Sequence, residues 1–255
     1  MSEQTPSDFW DYSELAEAYL KRPDYADEAL ERMLAPMQLP PGARVCDVGA
    51  GVAHLTLQLA RRGFDVTAVE PNDRMRALGQ QRTAELDQVH WHQGTGEATG
   101  QPDQAFALVS FGSSFNVCDR EAALRETCRI LQPRGWFACL WNHRDLDDPL
   151  QGEIETLIRS FLPEYGYGTR RQDQTEPIVA SGLFEAVQSV SGRVIHSQSL
   201  EDCVTAWRSH ATLQRQAGAR FPEIVAAIES LLRSRGQASI RIPYDTRVWF
   251  ARKLS

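Results

Sequence analysis

The residues with the clearest chemical meaning stand together near position 50. The run Val45-Cys46-Asp47-Val48 leads into Gly49-Ala50-Gly51, and Val52-Ala53-His54-Leu55 follows. Glycines at 49 and 51 let the backbone turn sharply and let a ligand approach without interference from a Cβ. The helix expected after them offers unpaired N–H groups to an anionic ligand group. Nineteen residues after Gly51 comes Glu70, at the end of the next apolar run. A carboxylate at that point can accept two hydrogen bonds from ribose hydroxyls. Turn and carboxylate together call for a small ligand that is partly anionic and contains adenosine.

NAD and S-adenosylmethionine both meet those two requirements. A dinucleotide fingerprint places a third glycine at its sixth position to seat the pyrophosphate, and His54 stands there. Asp47 precedes the first glycine by two positions instead. It can orient the loop and meet the ammonium end of an amino-acid ligand. The balance favours S-adenosylmethionine.

The surrounding periodicities supply the elements that must position these groups. Strands are expected at 44–48, 65–70, 89–93, 106–110 and 136–141, and helices at 55–62, 73–84 and 120–131. Strands alternating with helices build a parallel sheet covered on both faces, a doubly wound α/β domain. Two regions stand outside the alternation. The first, 9–34, carries Phe9, Trp10, Tyr12, Tyr19 and Tyr25 with helical patterning either side of Pro23. The second begins at Asn142. It holds a helix with Asp148 as cap and Pro149 in the first turn, ending at Pro163. A strand is expected at 184–189, a second strong helix around Ile224, Ala227, Ile228 and Leu231, and a closing edge strand at 246–253. The added helices read as a cap over one end of the sheet.

Composition narrows the partners. With 27 basic against 34 acidic residues and a net charge of -7, no overall field recruits nucleic acid. No apolar run approaches the roughly 18 residues of a membrane span, and residues 1–11 are polar and acidic rather than basic and then apolar. A cytoplasmic protein with no membrane partner is expected. The five cysteines, Cys46, Cys118, Cys128, Cys139 and Cys203, are widely spaced with no C-x-x-C pair, so they read as structural thiols and no metal site is expected.

Several motifs in order resemble the class I S-adenosylmethionine-dependent methyltransferases. Asp47 to Thr56 resembles their first motif, with Ala53 where its third glycine usually stands. Val69-Glu70-Pro71-Asn72-Asp73-Arg74-Met75 resembles the acidic loop. Gly94 to Ala98 is similar to the adenine-contacting segment, and Ile130 to Trp136 to the helix-Pro-Gly-strand passage. The likeness covers about 19–141 and is closest to the small-molecule branch that includes the ubiquinone/menaquinone enzymes. It implies a Rossmann-like seven-stranded sheet, mostly parallel with an antiparallel final strand, plus a helical cap. The corresponding divisions are an N-terminal helical lid (1–40), a cofactor-binding core (41–141), and the remaining strands with the inserted substrate cap (142–255).

Carried across residue by residue, the resemblance places Gly49, Ala50 and Gly51 at the methionine part of the cofactor. Glu70 and Pro71 would lie at the ribose, Met75 on one adenine face, and Thr95, Gly96 and Glu97 at the adenine edge. Phe111 would stand beside the sulfonium, with Tyr19 and Arg22 closing over the cofactor. The acceptor is expected to be a small molecule, with a homodimer as a possible assembly. Ser113, Phe115 and Asn116 occupy the segment that reads the target group in many class I enzymes. Tyr165, Arg170 and Arg171 sit in the 164–171 loop, which could gate entry with aromatic rings for an organic acceptor and the two arginines for an acidic group, weighed against a solvated, flexible loop. Proximity supplies much of the acceleration in methyl transfer. A base, if used, would be His143 or His210, weighed against a loop histidine paired with Asp145 or Asp147 and a helix-surface histidine. His54 is expected to be structural. An Asn/Asp-Pro-Pro-aromatic signature and a Pro-Cys nucleophile are both absent after the fourth strand, which counts against nucleic-acid targets. The alternatives are an RNA or protein methyltransferase, a regulator that binds the cofactor without turnover, and, more distantly, a nicotinamide dehydrogenase.

Overall fold

A computed structural model describes residues 16–254; Phe9, Trp10 and Tyr12 lie outside the described residues. Strands β1 (Arg44–Val48), β2 (Asp65–Val69), β3 (Val89–His92) and β4 (Phe106–Gly112) alternate with helices α3 (His54–Ala60), α4 (Asp73–Arg82) and α5 (Arg120–Ile130) before β5 (Leu131–Arg144). Ahead of them lie α1 (Ala16–Tyr19) and α2 (Asp27–Leu34). After them come α6 (Pro149–Phe161), α7 (Thr175–Ala180), β6 (Gln188–Ser199), α8 (Leu200–Arg208), α9 (Ala211–Ala217), α10 (Phe221–Ser234) and β7 (Ser239–Arg252).

The seven strands form one sheet in the order β3-β2-β1-β4-β5-β7-β6. Pairs β1–β2, β2–β3, β1–β4 and β4–β5 are parallel, and β7 is antiparallel to both its neighbours. This is the mostly parallel seven-stranded sheet with an antiparallel last strand. Its central strands are apolar on both faces because both are covered: Val45, Cys46 and Val48 of β1 are buried. On one face α5 and α7 pack around Phe106, Phe137 and Ile178; on the other α2 and α3 pack around Leu30, Leu59 and Val66. From β1 the chain proceeds outward through β2 and β3, then returns to β4 on the other side. The resulting crevice outside the strand ends is where open α/β sheets bind ligands.

Helix starts follow local chemistry. Asn72 Oδ1 accepts from the Arg74 and Met75 N–H groups at the start of α4, and Asp148 accepts from Gln151 N–H with Pro149 in the first turn of α6. A third apolar cluster joins α6, α8, α9 and α10 through Ile154, Ile158, Val204, Trp207, Leu213, Ile224 and Ile228. Ile240, Ile242 and Tyr244 of β7 belong to it as well, so the long antiparallel β6–β7 pair, with α8 to α10 between its strands, serves sheet and cap together.

Three boundaries differ from the sequence reading. The strand expected at 184–189 begins at Gln188 and runs to Ser199; Phe184 contributes only an isolated bridge to Lys253. As the outermost strand, β6 needs little apolar alternation, and its sequence shows little. The strand expected at 246–253 starts at Ser239 and is internal, between β5 and β6. Pro243, which lies opposite Ile195, is what made its first half look unlike a strand. Finally, β5 extends through Asn142, His143 and Arg144, which pair with Thr246, Asp245 and Tyr244. His143 is therefore a strand residue and not a loop residue.

Candidate active site

One cavity of about 760 Å³ opens along the ends of β1, β2, β4 and β5 and reaches under α8 and α9. Its sheet end is built by the glycine turn. Gly49 and Gly51 have φ of +69° and +57°, and Ala53 also sits in the left-handed region at +73°. A Cβ on Gly49 would lie 2.4 Å from Cβ of Ser114, whereas one on Gly51 would meet nothing nearer than the Gly49 carbonyl at 4.0 Å. The first glycine thus permits close packing of two loops, and the second leaves open space at the cavity wall.

Two carboxylates frame the turn. Glu70 is buried and accepts from Gly51 N–H at 2.8 Å through Oε2 and from Asn72 N–H at 2.9 Å through Oε1. Asp47 Oδ2 accepts from the Thr56 hydroxyl at 2.7 Å, while Oδ1 is buried and has no partner. Burial raises the Asp47 carboxyl to about 7, helped by the nearby charge of Glu70 and opposed by Thr56. Burial also raises Glu70, against the two backbone donors. Pro71, Met75, Thr95, Gly96, Glu97 and the half-buried Cys118 complete this end. Burial pushes the Cys118 thiol up to about 12, which leaves it un-ionised.

The N-terminal segment crosses the mouth of the cavity and is tied from four directions. Gln58 accepts from Tyr25 N–H at 3.1 Å and donates to the Tyr25 carbonyl at 2.7 Å. Asn142 donates to the Pro23 and Asp24 carbonyls, Thr246 accepts from Ala26 N–H, and Gln198 donates to the Lys21 carbonyl. His54 lies between Asp24 Oδ1 at 2.9 Å and the Tyr19 carbonyl at 2.8 Å, the structural part expected of it. Tyr19 and Arg22 both line the cavity, with the Arg22 guanidinium 3.5 Å from the Tyr19 ring centre.

The cap end is lined by Trp141, Asn142, Arg144, Tyr167, Arg170, Arg171, Trp207, His210 and Tyr244. His210 caps α9: its Nδ1 accepts from Leu213 N–H at 3.2 Å, and its ring stacks on Trp207 with centres 5.2 Å apart. Nδ1 must then carry the lone pair, which puts the proton of the neutral ring on Nε2. Burial, with Arg170, Arg144 and Arg22 nearby, holds the ring well below the ordinary histidine range.

A family model described as a methyltransferase domain matches residues 46–139. An uncharacterized methyltransferase of Mycobacterium tuberculosis is 36% identical over 228 residues, covering 83% of this chain and 90% of that one. The chain belongs to the S-adenosylmethionine-dependent methyltransferases. A ubiquinone/menaquinone biosynthesis C-methyltransferase of Vibrio campbellii is 29% identical over 133 residues, 49% of this methyltransferase and 51% of the relative. The structure described as a type II methyltransferase from Anaeromyxobacter dehalogenans superposes with a TM-score of 0.69 at 18% identity, covering 91% of this chain and 99% of that one. Phosphoethanolamine N-methyltransferase 2 of Haemonchus contortus, solved with S-adenosylhomocysteine, gives 0.59 at 15% identity, covering 99% and 61%.

The methyltransferase's cofactor is S-adenosylmethionine, and the sheet end of the cavity fits it. The partnerless Asp47 Oδ1 suits an ammonium, the open space at Gly51 suits a chain lying against the backbone, and each Glu70 oxygen keeps a second lone pair for a hydroxyl. Of the residues singled out in the sequence, Tyr19, Arg22, Asp47, Gly49, Ala50, Gly51, Glu70, Pro71, Met75, Thr95, Gly96, Glu97, Ser113, Asn116, Arg171 and His210 line this one cavity. Four are not among its lining residues. Phe111 and Phe115 are buried in the core against Phe137, with ring centres 5.8 and 5.4 Å from it. Tyr165 is buried edge-on to Tyr167. His143 points to the face of β5 opposite Asn142 and Arg144, and its Nε2–H donates to the Arg170 carbonyl at 2.9 Å; burial and Arg171 lower its pKa to about 3. Its partner is thus a backbone carbonyl and not Asp145 or Asp147. Strand alternation explains Phe111: its neighbour Gly112 takes the cavity side. The cap-end residues Arg144, Trp207 and Tyr244 carried no local motif, since only the β5–β7 pairing and the third apolar cluster bring them together.

Proposed function

We propose that the enzyme methylates oxygen, nitrogen or carbon of a small organic acceptor held in the cap end of the cavity. The observation that carries this reading is the continuity of a single cavity from Asp47 and Glu70 to Arg144 and Trp207. Its volume of about 760 Å³ falls within the roughly 300–1,000 Å³ typical of small-molecule sites. When bound, S-adenosylmethionine supplies an electrophilic methyl group on a sulfonium, whose sulfur keeps the bonding electron pair as the methyl leaves.

In this reading Asp47 meets the ammonium, the 49–51 backbone lies along the methionine part, and Glu70 with Pro71 binds the ribose. Met75 covers an adenine face, while Thr95, Gly96 and Glu97 meet its edge. Tyr19 and Arg22 close the mouth and exclude water. Ser113 and Asn116 flank the acceptor where β4 ends. Both are held: Ser113 Oγ lies 3.0 Å from the Tyr25 hydroxyl, and Asn116 Oδ1 accepts from Trp141 Nε1–H at 2.8 Å. Phe111 and Phe115 support these residues from behind by packing, and Tyr165 backs Tyr167 in the cap.

Neither histidine takes the acceptor's proton. His143 stands outside the cavity, and His210 presents a donor. Catalysis rests on proximity and alignment, which can lower a bimolecular barrier by about 7–11 kcal/mol, and the proton leaves to solvent.

The test is transfer of a tritiated methyl group in the presence of cell extract, followed by size separation of the product. Label in low-mass compounds is expected. Label confined to RNA or protein would reject the small-acceptor reading.

A further inference from the structure

We propose that the acceptor is a small organic anion whose carboxylate or phosphate is held by Arg144, Arg170 and Arg171 at the cap end of the cavity. This rests on the small-acceptor reading above and adds the charge and the binding groups.

The cavity is electrically divided. Asp47, Glu70 and Glu97 line the sheet end, whereas Arg144, Arg170, Arg171 and His210 line the cap end. Elsewhere arginines meet carboxylates, as Arg129 does with Glu126 and Arg159 with Glu155. The three cap-end arginines form no ion pair among the described residues. Their hydrogen bonds and ring contacts are with neutral groups instead, and Glu155, which accepts from the Tyr167 hydroxyl, acts on Arg171 only through space. Arg144 Nε–H donates to the Tyr244 hydroxyl at 3.3 Å, and its guanidinium lies 4.0 Å from the Trp207 ring centre. Arg171 donates to the Arg144 carbonyl at 2.9 Å and stacks 4.1 Å from Tyr167, which Arg170 also approaches at 5.5 Å.

A guanidinium stacked on a ring keeps its N–H groups in the plane, the arrangement that grips a carboxylate or phosphate through paired hydrogen bonds. The Nε atoms of Arg170 and Arg171 are buried without an acceptor. Gathering like charges in a half-buried place is unfavourable unless an opposite charge joins them. Burial lowers both Arg170 and Arg171, and Arg22 and Arg171 lower Arg170 further. The His210 Nε2–H adds a neutral donor to the same cluster.

The position of the cluster also orients the acceptor. Arg144 stands three residues beyond Trp141 along β5, about 10 Å at the rise of a strand. The anionic group therefore binds away from the cofactor, and the reacting atom of the acceptor points back toward Ser113 and Asn116.

The experiment divides the low-mass filtrate of a cell extract on an anion exchanger. The flow-through and the retained fraction, eluted with volatile bicarbonate, are each offered to the full-length enzyme with tritiated S-adenosylmethionine. Transfer with the retained fraction alone is expected. Transfer with the flow-through alone would overturn the anion proposal and leave the small-acceptor reading standing; transfer with neither would overturn both. Phosphatase treatment of the active fraction then identifies the anion: lost activity marks a phosphate ester, and retained activity marks a carboxylate. Arg171→Gln should raise KM for the active fraction by about tenfold or more, with the affinity for S-adenosylhomocysteine unchanged. An unchanged KM in that variant would overturn the assignment of Arg171.

Discussion

The Gly51 N–H donates to Glu70 Oε2 at 2.8 Å, joining the glycine turn after β1 to the carboxylate after β2. The sites proposed for the ribose and for the methionine part are thus one hydrogen-bonded unit. Glu70→Ala removes the proposed ribose acceptor and also leaves the Gly51 and Asn72 donors unpaired. Its affinity for S-adenosylhomocysteine should fall by about 1.5–3 kcal/mol, more than tenfold, as measured by titration calorimetry. Equal affinity in the variant would show that Glu70 does not hold the ribose.

If Asp47 meets the cofactor's ammonium as proposed, cofactor binding depends on pH. Its carboxyl titrates at about 7 in the folded, free protein against an ordinary 3.8, and only the ionised form attracts an ammonium. Affinity should therefore rise with pH up to about 7 and then level, and Asp47→Asn should remove the slope. A flat wild-type profile would contradict the assignment.

The same shift sets a stability trend with the opposite sign. Because the folded state favours the protonated form, the free protein loses stability as pH rises from 3.8 through about 7. Above that range Asp47→Asn should melt higher than wild type by about 2–4 °C per kcal/mol recovered. A lower melting temperature there would reject the buried-carboxylate account.

His210 caps α9 through Nδ1, and the proposed mechanism gives it no role as a base. At saturating substrates kcat should show no histidine limb between about pH 6 and 8. His210→Ala should cost about 1 kcal/mol of stability through the lost α9 cap, and His210→Asn, whose Oδ1 can accept from Leu213 N–H, should recover most of it. A wild-type limb that disappears in His210→Asn would restore the general-base role.

Much of this site is legible in the amino-acid sequence. Gly49, Gly51, Asp47 and Glu70 announce themselves because the glycine turn and both strand ends are consecutive in the chain, so local spacing fixes their positions. The sheet was legible through β5 for the same reason. The cap was less so, because Arg144, Trp207 and Tyr244 converge only through the β5–β7 pairing and the cap cluster, which no local pattern encodes. Phe111 and His143 were misplaced for a narrower reason: the side a strand residue faces reverses with every step, and an end residue's neighbours do not fix that choice.

Gly79 shows where packing overrules propensity. Glycine costs a helix about 1 kcal/mol relative to alanine, yet a Cβ at 79 would lie 2.1 Å from the Trp91 ring and 3.0 Å from the Gly51 carbonyl. Gly79→Ala should destabilise by about 1–3 kcal/mol in chemical denaturation and also weaken cofactor binding. A stabilised variant would contradict the packing of α4 against the glycine turn.

The most direct test of the account is calorimetric titration of the full-length protein with S-adenosylhomocysteine. One molecule per chain should bind with a Kd in the micromolar range, about -8 kcal/mol. A cooperatively folded protein that gives no binding heat and no thermal shift with this ligand would contradict the cofactor cradle at Asp47, Gly51 and Glu70.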